Sequence, residues 1–447
     1  TPIPSKEHVF LKSGFQQGKI YNFIYQATGA VVTGTTLISL RDTGSWIRNS
    51  KQGPFFKKPP RYLYAYGVSQ TGRLLRHFIY AGMNIDENRE KVYDGILPHV
   101  AGGRRGNFNH RFGQPSQQSA PGFGHLFPFT DRNLKDPFSS KKEGLQDTQK
   151  ARGGLPKIIY TNTSAEYWRG DGSLSHTDPS GCCDQPLPNN ARTYMFSGTQ
   201  HGAGSTGLPK ANSPEQILEA YNANIVDYRP LLRGALSNLI SWVEKNIDPP
   251  PSCTPNLADG TAISRSDAIS SMPSIPDQDL PSPDRLWKIR SMDLGENADI
   301  GIGKYPVIEG ETYPCFVSKL DEDGNEISGI KMPDISVPIA THTGWNLRNP
   351  EIGSPEQLIS MIGFSNSFPV NKAHRESTND PRLSIEERYK SKEFYLKKVR
   401  EESSKLALDG YILPQDIEVI VKNCSYRYEK AVSRLQSSLP DTVDEQI

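Results

Sequence analysis

The chain runs to 447 residues, long enough to bury a large core, with 51 Lys and Arg balanced by 50 Asp and Glu for a formal charge of +1. No long block of one sign occurs, which argues against nucleic acid or anionic lipid as a partner, and no apolar run approaches the ~20 residues that span a bilayer. Five cysteines are too sparse for a disulfide framework. The adjacent pair Cys182 and Cys183 rarely bridges without strain, and with no C-x-x-C spacing or Cys/His cluster no zinc site is expected.

The opening Thr1-Pro2-Ile3-Pro4 matches neither a signal peptide nor an initiator start, so a processed end or the edge of a fragment is expected there. Residues 20–25 read as a strand and 35–47 as a helix. From residue 61 to 245, short apolar β-type runs alternate with longer helical stretches, the pattern of a mostly parallel sheet covered on both faces. Strands are expected at 62–66, 94–100, 157–161 and 192–196, with a helix over 72–81. The interval from 103 to about 152 is long for a crossover and is expected to overhang the sheet as a lid. Ser213-Pro214-Glu215-Gln216 has the cap and proline of a helix start. Leu231, Ala235, Leu239 and Val243 then form an apolar helix stripe. Residues 1–250 are therefore expected as one domain, 251–285 as a stiff Pro-rich linker with no core of its own, and 286–447 as a β-then-α region packed on the first domain. Within the last, 321–325 reads as a hairpin turn, Ser384 and Glu387 as a capping box, and a second helix follows Pro414.

Three stretches carry chemistry. Gly67-Val68-Ser69-Gln70-Thr71-Gly72 sits between a strand and a helix, where an exposed serine can act as nucleophile. A glycine-flanked serine alone is a weak signal, and Thr71 stands where a second glycine is usual; the strand–turn–helix context carries the assignment. A serine hydroxyl also needs an imidazole to take its proton and a carboxylate to orient the ring. Glu166 follows the 157–161 strand, beside Tyr167 and Trp168, whose bulk suggests a walled, substrate-contacting site. Asp171 and Asp178 are the alternatives. His201 follows the last strand between Gly198 and Gly202; His99 and His176 are the alternatives. Ser69, Glu166 and His201 thus fall on successive strand ends, in the order nucleophile, acid, base.

With these residues in hand, the sequence resembles a little-characterised group of alpha/beta hydrolase domain proteins. The matching stretches include Gly67 to Arg73, Leu97 to Gly102, Phe108 to Phe112, Thr161 to Trp168, Gly198 to Gly202, Asp227 to Leu232, Ala340 to Arg348 and Ser384 to Tyr389. The likeness implies an α/β-hydrolase fold, mostly parallel sheet flanked by helices, with a lid insertion and a C-terminal extension that belongs with the hydrolase. It implies that Thr71 is ordinary at the elbow, and it brings no substrate. Members of the group are longer before the first strand. The nucleophile normally follows the fifth strand, yet about sixty residues precede residue 62, so early strands and the second oxyanion donor are expected outside this chain. The backbone N–H of Gln70 is the first donor.

The leading expectation is cleavage of a carboxylic ester through an acyl-enzyme on Ser69, with no metal or organic cofactor and a small-molecule ester as substrate. Acyl transfer on the same residues and a non-catalytic scaffold are the competing readings. Arg111, with Arg104, Arg105 and His110 in the lid, is expected to face an acidic group of the substrate, or else to form a solvated basic face. Trp345 and Asn346 are expected to line the same cleft.

Overall fold

The computed structural model describes residues 35–50, 58–106, 126–204 and 218–433 apart from 301, 305 and 306, with Phe108 and scattered positions before residue 30. The alternation expected between residues 61 and 245 folds as a four-stranded parallel sheet. Its strands are β1 (Tyr64–Val68), β2 (Gly95–His99), β3 (Lys157–Thr163) and β4 (Ala191–Phe196), neighbours in that order. The register runs from Tyr64 opposite Gly95 to Thr163 opposite Phe196. Parallel neighbours need long crossovers. Helix α1 (Thr36–Asn49) precedes β1, α2 (Gln70–Tyr80) follows it, α3 (Ser164–Arg169) follows β3, and α4 (Arg229–Lys245) follows β4.

Side chains alternate across a strand, so neighbours in one strand serve opposite layers. Ile96, Ile158 and Tyr160 pack with Leu37 of α1 and with Leu75, Phe78 and Ile79 of α2. Leu97, Ile159, Tyr194 and Phe196 face the other way, onto Leu231, Ala235, Leu239 and Trp242 of α4. Each such aliphatic side chain contributes about 2 kcal/mol by leaving water. With both faces covered, β2 is buried at all five positions.

Beyond α4 the described residues form short strands and helices, the last two being α5 (Lys392–Leu408) and α6 (Ile417–Ser433). Tyr395, Val399, Ile420 and Cys424 of this pair join the cluster on the α4 face. The approach is close: a Cβ on Gly234 of α4 would stand 2.1 Å from the Tyr411 carbonyl oxygen. The same region closes the outer edge of β4. Met195 N–H donates to the Cys253 carbonyl (2.9 Å), and Ile330 N–H donates to the Met195 carbonyl (2.7 Å). These contacts occupy ladder groups that an open edge would expose.

Residues 262–275, expected within a coreless linker, instead build structure. Ala262–Ser264 pairs antiparallel with Phe316–Ser318, and the helix Arg265–Ser270 is capped by Ser264. Ala268, Ile269, Met272 and Ile275 are buried with Trp168 and Trp345. Only Ala268 and Ile269 lie on that helix; Met272 and Ile275 are buried from the irregular chain that follows it. The turn at 321–325 forms as expected: Leu320 pairs with Glu326, and the Asp321 carboxylate accepts from Asp323 and Asn325 N–H. The Ser384–Glu387 capping box is present. All five cysteines are free thiols. The strand expected over 20–25 lies partly outside the described residues, and the helix start at 213–216 wholly so. Among the described residues no helix is long and apolar enough to cross a membrane.

Candidate active site

Ser69 stands between β1 and α2 with φ 55° and ψ −113°, a left-handed conformation that a non-glycine residue adopts only under strain. Its surroundings over-determine it. Ser69 N–H donates to the His99 carbonyl at the end of β2 (2.8 Å), and its own carbonyl accepts from Arg73 N–H (2.9 Å). A Cβ on Gly67 would meet the Thr71 carbonyl oxygen at 2.5 Å, and one on Gly72 would meet the His99 oxygen at 2.9 Å. Gly72 thus supplies the close approach, which frees position 71 for a larger residue. Thr71 uses that freedom as a brace: its hydroxyl accepts from Val68 N–H (2.8 Å) and donates to the Val68 carbonyl (2.9 Å). Gln70 is the first residue of α2, at the positive end of the helix dipole.

Glu166 owes its placement to helix capping. Thr163 is the N-cap of α3 and Glu166 its third residue, a T-x-x-E capping box. Glu166 Oε2 accepts from Thr163 N–H (2.8 Å) and from the Thr163 hydroxyl (2.5 Å). That leaves Oε1 for His201, whose Nδ1 lies 2.6 Å away. Glu166 is fully buried. Burial pushes its pKa up, but the His201 ring, the Arg169 guanidinium and the Thr163 hydroxyl outweigh it and hold the group at about 2. The carboxylate is therefore ionised across the neutral range.

His201 rides the loop after β4. Its N–H donates to the Met361 carbonyl (3.2 Å), and its carbonyl accepts from the Tyr228 hydroxyl (2.6 Å). Ala165 N–H donates to the Thr199 carbonyl (3.2 Å), tying α3 to the same loop. The structure thus joins Glu166 with His201 and places both at the strand ends that also carry Ser69. Among the described residues it shows no hydrogen bond between the Ser69 hydroxyl and the His201 ring.

The alternatives are engaged elsewhere. Asp171 is gripped by Arg169 through two bonds (2.7 and 3.2 Å), with Arg104 at 3.4 Å. His176 bonds the Tyr167 hydroxyl (3.0 Å). His99 lies between Thr161 (2.9 Å) and Tyr228 (3.2 Å), and burial lowers its pKa to about 4. Tyr167, expected to contact substrate, is core: its ring packs against Gly172 and its hydroxyl is taken by His176. Trp168 does line a cleft beside Glu166, with Arg169, Trp287, Trp345 and Met361. That cleft is about 30 Å³, room for water-sized groups only. Asn346 instead bonds Tyr221 at 3.2 and 2.8 Å. Arg111 lies outside the described residues. Arg104 and Arg105 are buried, so neither belongs to a solvated basic face. A larger cavity, about 580 Å³, lies at the far end of α2 between His77, Tyr80, Lys141 and Tyr313.

Among the described residues, Asp178, Cys182 and Cys183 bring a ligand atom each within 4.8 Å of one another. Both cysteines are exposed, and the group shares no residue with Ser69, Glu166 or His201.

The chain belongs to the alpha/beta hydrolase domain family, whose model matches residues 33–422. No curated protein and no solved structure matches it. The parallel sheet flanked by helices is accordingly an α/β-hydrolase fold, of hydrolase type.

Proposed function

We propose that this protein is a serine hydrolase that cleaves a carboxylic ester through an acyl-enzyme on Ser69. The observation that carries this reading is the 2.6 Å contact between His201 Nδ1 and a buried Glu166 carboxylate. An ionised carboxylate at Nδ1 fixes the ring proton there and leaves the Nε2 lone pair to act as base. In the proposed reaction Nε2 takes the Ser69 proton as Oγ attacks the ester carbonyl, with Gln70 N–H donating to the oxyanion. The imidazolium returns that proton to the leaving alcohol, and water repeats the sequence to free the acid. Closure of the Ser69–His201 hydrogen bond is assigned to the substrate complex, since such bonds tighten there.

The test is covalent labelling by a fluorophosphonate, which a nucleophilic serine attacks with loss of fluoride. Wild type is expected to label at Ser69, and Ser69→Ala not at all. Equal labelling of the two proteins, or none of either, would remove the proposal.

A further inference from the structure

Glu326 belongs to the C-terminal region, at the exit of the 321–325 turn, yet its carboxylate reaches the two segments that carry Glu166 and His201. Oε1 accepts from the Ser164 hydroxyl (2.5 Å) and Oε2 from Gly198 N–H (2.7 Å). Ser164 opens α3, two residues before Glu166; Gly198 opens the loop that holds His201. Gly198 is pinned from its other side too, because its carbonyl accepts from the Asn224 amide (2.7 Å). A Cβ at Gly198 would collide with Ile335 at 2.4 Å, so the loop packs closely on the C-terminal region at this point.

The setting is unusual for a carboxylate. Glu326 is 2 % exposed, and among the described residues no Lys, Arg or His forms an ion pair with it. Its hydrogen-bond partners are neutral: Ser164, Gly198 and the Trp168 indole, and burial raises its pKa to about 7. The other charged or titratable groups nearby are Glu166, two residues beyond Ser164 on α3, and the buried Tyr167 phenol, whose own pKa Glu326 helps raise. An unpaired buried carboxylate costs stability. What it provides here is one rigid planar group with two acceptors, spanning two segments that are also joined by the Ala165-to-Thr199 backbone bond and by the Glu166–His201 contact itself.

We infer that Glu326 is a positioning residue: its two carboxylate oxygens fix the acid-bearing helix and the base-bearing loop at the spacing that aligns Glu166 with His201. The inference rests on the serine-hydrolase reading. Glutamine has the same reach, and the Ser164 hydroxyl turns to accept from its amide, so Glu326→Gln preserves the bridge. Aspartate keeps the charge and loses one methylene, so Glu326→Asp does not.

The experiment compares the rate of Ser69 labelling by a fluorophosphonate, and kcat and KM for p-nitrophenyl acetate, in the full chain. Displacements of about an ångström in catalytic groups lower rates roughly 100-fold. Glu326→Ala and Glu326→Asp are expected to lose that order in labelling rate and kcat with KM little changed, and Glu326→Gln to stay within a few-fold of wild type. Asp416→Ala, which removes the Arg233 ion pair far along the chain, is the control: it lowers the melting temperature and leaves the rates alone. Should Glu326→Ala not fold, Glu326→Asp carries the same reading. A folded Glu326→Asp that labels at the wild-type rate, or a Glu326→Gln as slow as Ala, overturns the inference alone. Wild type that labels no faster than Ser69→Ala overturns the hydrolase reading and the inference with it.

Discussion

The two oxygens of Glu166 have separate duties, one in the cap of α3 and one at His201, while both oxygens of Asp171 are held by Arg169. The two carboxylates therefore answer differently to truncation. Glu166→Ala is expected to lower kcat by about four orders of magnitude, as loss of the orienting acid does in such sites. Asp171→Ala is expected to lower stability by several kcal/mol, since it breaks an ion pair whose carboxylate is fully buried, with a far smaller effect on kcat in whatever fraction folds. Ester turnover and thermal unfolding, measured on both variants, separate the two roles; the reverse pattern would move the acid to Asp171. The placement of Ser69, Glu166 and His201 at strand ends was legible because each follows a β-type run. The capping box that aims Glu166 was also written in Thr163-Ser164-Ala165-Glu166, a spacing readable before any coordinates. Glu326 was not legible: it lies 128 residues from Gly198 and 162 from Ser164, and no local pattern reports a contact closed over that distance.

At the scale of elements, α4 is the piece most plainly dictated by its residues. Leu231, Ala235, Leu239 and Trp242 recur at helical spacing and all are buried. Gly234 interrupts that stripe because the 411–412 backbone passes across it. Leu239→Ala is expected to destabilise the protein by about 2–5 kcal/mol through the cavity it leaves, read as a lower melting temperature. The four central strands were recovered within about two residues at each end, the usual uncertainty of a boundary. The segment 262–275 was not legible: its prolines and serines suggest a connector, and only Ala268 and Ile269 of its buried apolar residues lie on the short helix, while Met272 and Ile275 are buried from the irregular chain beyond it. Tyr167 was misread for a different reason. On a helix only some of three consecutive residues face the cleft, and the sequence does not say which.

For the whole molecule, the first 250 residues and the rest share one apolar cluster and one sheet edge, so stability is a joint property. Its dependence on pH follows from two buried glutamates that act in opposite senses. Glu166, held at about 2 in the fold against 4.5 for a free glutamate, contributes stability that is present above pH 4.5 and lost as pH falls through 2. Glu326, raised from 4.5 to about 7, contributes stability that is full below 4.5 and lost as pH rises through 7. Wild type is therefore expected to lose on the order of 3 kcal/mol relative to Glu326→Gln between pH 4.5 and 8. Parallel melting curves across that range check it; parallel slopes for the two proteins would show that Glu326 does not titrate there.

The elbow has one more consequence. Ser69 holds its left-handed conformation at a cost of about 1–3 kcal/mol, and glycine adopts the same angles without steric penalty. Ser69→Gly is thus expected to melt at a higher temperature than wild type while losing the hydroxyl altogether. A library sorted only for survival on heating would drift toward inert protein, with the reactive side chain among the first to be discarded.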